Sequence, residues 1–143
     1  ATSFDASYFN AYLGATFSGI TAKVDYEVLG SDDGLYGFAT PLATLHKFNG
    51  FADLFLATPQ QGLQDLKLSL AGTVAGGKWL LAYHDYSANE STTAVDDLGS
   101  EVNLQYTKKF AGKYNVGIKY AAYDAGDIKV DTNRFWMWVG TRF

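Results

Sequence analysis

The stretch RFWMWVGTRF, residues 134–143, decides how the rest of the chain is read. Taken in steps of two, Phe135, Met137, Val139, Thr141 and Phe143 fall on one side, and Arg134, Trp136, Trp138, Gly140 and Arg142 on the other. Alternation of this kind is a strand signal. Chain ends usually fray and are usually polar. Apolar residues that run to a last aromatic are expected where the final strand is paired and its outer face meets hydrocarbon to the end. An ordinary edge strand of a soluble sheet is the plainer reading, and the remaining segments must choose between the two.

Six more segments alternate. In SYFNAYLGATF, Phe9, Ala11, Leu13, Ala15 and Phe17 oppose Tyr8, Asn10, Tyr12, Gly14 and Thr16. In TAKVDYEVL, Ala22, Val24, Tyr26 and Val28 oppose Lys23, Asp25 and Glu27. LKLSLAGTV sets Leu66, Leu68, Leu70 and Val74 against Lys67, Ser69 and Thr73, and WLLAYHDY sets Trp79, Leu81 and Tyr83 against Leu80, Ala82 and His84. EVNLQYTKKF sets Val102, Leu104, Tyr106 and Phe110 against Glu101, Asn103, Gln105, Thr107 and Lys109. YNVGIKYAAY sets Tyr114, Val116, Ile118 and Tyr120 against Asn115, Gly117 and Lys119. The connections alternate short (18–19, 75–78, 111–113) and long (30–64, 87–100), with a medium one at 124–133. Within the longest, LATLHKF and FADLFLA are each expected to make a short helix.

Composition fits this pattern. The chain has 143 residues, 16% of them aromatic, fifteen glycines, two prolines and no cysteine. Absence of cysteine removes disulfide and thiolate-metal readings and suits an oxidising compartment such as the periplasm or outer membrane. A net charge of -4 provides no basic field for nucleic acid. No run of eighteen apolar residues occurs, but a transmembrane β-strand needs only about 9–11 alternating residues.

Short turns alternating with long loops, wet faces opposite apolar ones, and Tyr26, Trp79, Tyr83, Tyr106, Tyr114 and Tyr120 near the ends of the apolar faces together predict an all-β, antiparallel transmembrane β-barrel. Residues 1–143 form a single barrel segment, with 30–62 its long extracellular loop. The competing architecture is a soluble β-barrel or sandwich binding a small ligand or sugar, with the faces reversed. An enzyme within a barrel is a third reading, but no nucleophile, carboxylate set or phosphate-binding glycine loop is visible, so no catalysis is expected.

The terminal aromatic with apolar residues at every second position upstream resembles the signal by which bacterial outer-membrane proteins engage the barrel assembly machinery, Phe143 being the last residue of that signal. Residues 26–55, YEVLGSDDGLYGFATPLATLHKFNGFADLF, resemble the C-terminal portion of porin-like proteins of the alginate export family. That resemblance implies a large barrel in the bacterial outer membrane that passes solutes, embedded in outer-membrane lipid and lipopolysaccharide. Family members are much longer. Seven strands are an odd number, whereas bacterial single-chain barrels have an even number of at least eight. The expectation is therefore a piece of a larger barrel whose further, N-terminal strands complete the wall.

The expected pore lining is Lys23, Asp25, Glu27, Lys67, His84, Glu101, Gln105, Lys119 and Arg134. With Lys109 and Arg142 near the periplasmic rim, this face carries six cations against Asp25, Glu27 and Glu101, which favours small or anionic solutes, saccharides among them. The loop at 30–62 is longer than a connection requires and too rich in Phe and Leu for disorder. It is expected to fold onto or into the barrel mouth, with His46, Lys47, Asn49 and Asp53 presented to solute; a cap that only seals the rim is the alternative. Two histidines without ligand spacing give no metal site, and no cofactor is expected. Asp32-Asp33 and Asp96-Asp97 are paired acids in outer loops that could bridge lipopolysaccharide through divalent ions, although GSDDG lacks the spacing of a calcium loop.

Overall fold

The computed structural model describes residues 3–43 and 45–141. Seven strands form one antiparallel sheet: β1 (Tyr8–Phe17), β2 (Ile20–Leu29), β5 (Leu63–Val74), β6 (Gly77–Ser87), β7 (Asp97–Phe110), β8 (Tyr114–Asp124) and β9 (Thr132–Thr141), neighbours in chain order. Two-residue strands β3 (Ser31–Asp32) and β4 (Tyr36–Gly37) make a small ladder of their own. The turns Ser18-Gly19 and Ala75-Gly76 join strands through two residues each, both at positive φ, as the hairpin turn matched to strand twist requires. Arg142 and Phe143, the end of the predicted assembly signal, lie outside the described residues.

Register confirms the period of two. Leu68 pairs with Val24 and Tyr83, Leu104 with Leu81 and Tyr120, and Ile118 with Met137. All these side chains share one face of the sheet, and all are exposed. The opposite face carries most of the charged residues, and its half nearest the long connections is covered by the β2–β5 connection. Beneath that loop lie Leu29, Leu63, Tyr86, Leu98, Ala121 and Tyr123, packed against the loop's Phe51, Ala52 and Phe55.

The two expected helices do not form: residues 41–43 and 45–57 are turns and irregular backbone. His46 and Asp53 sit at positive φ, which a helix does not admit. The amides of Phe51 and Ala52 are donated to side chains of β7 instead of to a helical turn. β5 and β7 begin earlier than the alternation suggests, at Leu63 and Asp97. At the start of β7 a register shift opposite Tyr86 and Ser87, with Gly99 at φ 92°, breaks the pattern.

Strands β1 and β9 are the two edges and are not paired with each other, so the sheet is not closed. The loop reaches across its inner face: His46 meets Trp136 on β9 with ring centroids 4.6 Å apart, while Asn49 donates to Glu27 on β2.

Candidate functional site

The loop is held to the wall by acceptors that the strands project at fixed spacing. Glu101 and Asn103 stand two residues apart on β7 and so share a face. Asn103 Oδ1 accepts from the amide of Phe51 at 3.0 Å, and Glu101 Oε1 accepts from the amide of Ala52 at 2.8 Å and from Asn103 Nδ2. On the far side of the loop, Asn49 Nδ2 donates to Glu27 at 2.8 Å and to Asp65 at 3.1 Å. Asp65 also binds His84 Nδ1 at 2.9 Å across the β5–β6 pair. Glu101, Asn103, His84 and Asp65 are 0–4% exposed. A charged group at that depth needs hydrogen bonds: Glu101 Oε1 and Asp65 take theirs from the loop and from their wall neighbours, while Glu101 Oε2 is buried without a hydrogen-bond partner.

Gly50 makes this close approach possible. Its φ is +90°, and a Cβ there would sit 2.4 Å from Glu101 Oε2 and 2.5 Å from the Tyr86 hydroxyl. The tetrad Asn49-Gly50-Phe51-Ala52 thus lies flat on β2, β5 and β7. The rest of the loop secures itself: Asp53 accepts from the His46 amide at 2.7 Å and pairs with His46 Nδ1 at 2.9 Å. Lys119 of β8 donates to the His46 carbonyl at 3.5 Å and stands 4.4 Å from the Phe51 ring centroid.

The residues singled out from sequence therefore separate into groups. His84 and Glu101 lie under the loop. Lys23 pairs with Asp25 and stands 3.9 Å over the Tyr12 ring, while Asp25 also accepts from Asn10 at 2.8 Å. Glu27 accepts from Tyr8 at 2.9 Å. Lys67 and Gln105 are half-buried and Arg134 is exposed. Of the loop residues, His46, Asn49 and Asp53 are anchors, and Lys47 is exposed. Several apolar side chains of the loop, Leu42, Leu45 and Phe48, are exposed. Sequence reading missed Asp65 as a wall residue, although it stands two before Lys67 and continues the same face. It also missed the part played by Gly50, for which no local signal exists.

The paired acids have structural places. Asp33 and Gly34, both at positive φ, make the tip of the β3–β4 hairpin, and Asp127 Oδ2 accepts from the amides of Asp96 and Asp97 at 2.9 Å each. Among the described residues no group of three or more His, Asp or Glu is placed to hold a metal ion. Searches against protein-family models, curated proteins and solved structures find no match to this chain.

Proposed function

We propose that the chain is part of the wall of a bacterial outer-membrane channel that passes small or anionic solutes, saccharides among them, down their gradients, selected by the inward loop. The observation that carries this reading is the inverted polarity of the sheet. Leu66, Leu104 and Ile118 are 39%, 45% and 41% exposed, while Asp65, His84 and Glu101 are buried on the opposite face. A soluble sheet would distribute these the other way. The exposed apolar face runs over all seven strands, and a contiguous apolar surface of that kind suits hydrocarbon.

The margins support the same reading. On the outward face, charged residues stand only at strand ends: Asp85 and Asp124 toward the long loops, and Lys108 toward the short turns. From Leu66 to Val74 the apolar run rises about 27 Å along the strand, or about 21 Å normal to a membrane at ~40° tilt, close to the ~25 Å band of such barrels. Tyr26 and Tyr120 turn their hydroxyls to Gln64 and Asn133 at 3.0 and 2.8 Å, toward the loop end of the band. Tyr106 bonds the Val74 carbonyl at 3.1 Å at the turn end. Rings in the band with hydroxyls at its edge suit an interfacial girdle.

Six antiparallel steps separate β1 from β9, so these edges run in the same direction. Antiparallel closure therefore takes an odd number of further strands. We assign these to the same barrel, since an open edge in lipid would leave backbone groups unsatisfied at several kcal/mol each. The wording of residues 26–55 supports membership of the alginate export family as part of this proposal. On this reading outer-membrane lipid, lipopolysaccharide and the barrel assembly machinery are the partners. Single-channel recording of the complete protein in planar bilayers tests the proposal, with heat-modifiable migration on gels reporting the barrel. Stepwise conductance that changes on deletion of residues 40–58 is expected. Unchanged conductance and selectivity would reduce the loop to a rim cap, and purification as a soluble species without detergent would overturn the channel.

A further inference from the structure

The charges of the sheet are segregated along its strands. Residues 14–22, 70–82, 104–118 and 137–141 make the end with the short turns, and they hold four lysines and none of the fifteen Asp and Glu residues. The acids gather in the long connections and in the strand halves next to them. Along β7 the first acid met from Lys108 is Glu101, seven residues and about 24 Å away, well beyond the ~8 Å screening length at physiological salt. Among the described residues no carboxylate lies within ion-pair distance of Lys78, Lys108, Lys109 or Lys113. The turn end is thus a rim of uncompensated positive charge on a chain of net charge -4.

Lys108 shows what kind of anion fits this rim. It stands on the outward, apolar face, two residues from both Tyr106 and Phe110 and opposite Val116 and Gly77 on the neighbouring strands. Its stem runs over the β5–β6 turn: a Cβ at Gly76 would lie 3.7 Å from Lys108 Cε and 4.0 Å from Nζ. The ammonium is 4.9 Å from the Phe110 ring centroid. A lysine that lies along apolar surface and ends at its margin, among aromatic rings, carries its charge at headgroup depth. Lys78 follows Gly77 on β6, and Lys113 closes the β7–β8 turn, where it lines a rim cavity of about 280 Å³ with Lys109, Tyr114, Asn115 and Thr141. No carboxylate lines that cavity. A free solute anion makes no use of the apolar rings, whereas an anion that carries acyl chains can lay them along Tyr106, Leu104 and Ile118.

We propose that this rim docks phospholipids whose headgroups carry net negative charge, the phosphate among Lys78, Lys108 and Lys113 and the chains on the outward apolar band. The proposal rests on the channel reading for the contact of this face with lipid. On that reading the short turns face the periplasm, so the partner is lipid of the periplasmic leaflet.

The test is equilibrium binding to the complete protein in detergent micelles, corrected for partitioning into empty micelles. The probes are dioctanoylphosphatidylglycerol, dioctanoylphosphatidylcholine, which has no net charge, and glycerol 3-phosphate, which has no chains. A lysine near an anionic lipid surface contributes about fivefold, so the anionic lipid is expected to bind at least tenfold more tightly than the choline lipid at low salt. In about 0.5 M salt that preference should fall towards parity. It should also fall in the variant with Lys78→Gln, Lys108→Gln and Lys113→Gln, with the affinity for the choline lipid unmoved. Lys78→Arg, Lys108→Arg and Lys113→Arg together should keep it. Equal binding of the two lipids, or a preference unmoved by salt or by the glutamine substitutions, would overturn the proposal. Glycerol 3-phosphate binding as tightly as the anionic lipid would overturn it in favour of a free solute at the channel mouth. A protein that conducts without this preference overturns the docking alone, and one that shows the preference but does not conduct overturns the channel alone.

Discussion

Replacing Gly50 by alanine is expected to lift the loop from its wall. Two costs add. The backbone at φ +90° costs an L-residue about 1–2 kcal/mol. The new methyl group would lie 2.4 Å from Glu101 Oε2, with backbone on one side and a fully buried carboxylate on the other. Either the loop backs away or Glu101 turns, and each forfeits at least one charge-assisted bond, worth about 1.5–3 kcal/mol. The sum, about 2.5–5 kcal/mol, falls on local docking and leaves the ladder of β7 intact. Hydrogen exchange of the Phe51 and Ala52 amides reads it directly, because both are donated to the wall. Their protection should fall by roughly a hundredfold to a thousandfold or more. Gly34→Ala is the internal control: φ is +71° there, but a Cβ meets nothing within 4 Å, so only the strain applies. Equal effects of the two substitutions on the Phe51 and Ala52 amides would refute the argument that Gly50 is required by close approach to Glu101.

Asn49→Ala removes the bonds to both Glu27 and Asp65 and should weaken docking by about 2–3 kcal/mol, seen as faster proteolysis after Lys47; an unchanged cleavage rate would count against the anchor. Leu104→Arg places a charge in the outward apolar band and should cost about 2–4 kcal/mol of insertion, whereas Gln105→Arg, one residue on and facing inward, should be tolerated. Folding yields into lipid vesicles compare the pair, and equal yields would refute the assignment of faces. Gly117→Val should displace Trp138, whose ring lies 2.1 Å from where a Cβ would stand; a red shift in tryptophan emission or loss of β8–β9 amide protection reports it, and wild-type spectra and protection would contradict the contact.

Much of the sheet was legible in the chain because a period of two is a local property. Phe135, Met137 and Val139 announce their common face without knowledge of what lies beside them, and Gly19 and Gly76 mark turns through a backbone freedom only glycine has at low cost. The inner face was readable in the same way wherever alternation was clean, as at Glu101-Asn103-Gln105. It was lost where a bulge interrupts it at the start of β7 and where Asp65 was absorbed into the adjacent loop.

The loop belongs to the other class. LATLHKF and FADLFLA carry helical composition, yet the Phe51 and Ala52 amides go to side chains of β7 and the His46 amide to Asp53 within the loop. His46, Asn49 and Asp53 read as polar groups offered to solution but hold the loop in place through hydrogen bonds, while Leu42 and Phe48 are left exposed. Nothing near Gly50 in sequence foretells Glu101 and Tyr86, fifty-one and thirty-six positions away. By itself the sequence determined the seven long strands and their faces, because a face depends on residues two apart, and it marked the hairpins closed by short turns. Only the tertiary structure decided where the loop lies and which polar groups it consumes, because those outcomes depend on which distant donors and acceptors the sheet brings within hydrogen-bond reach.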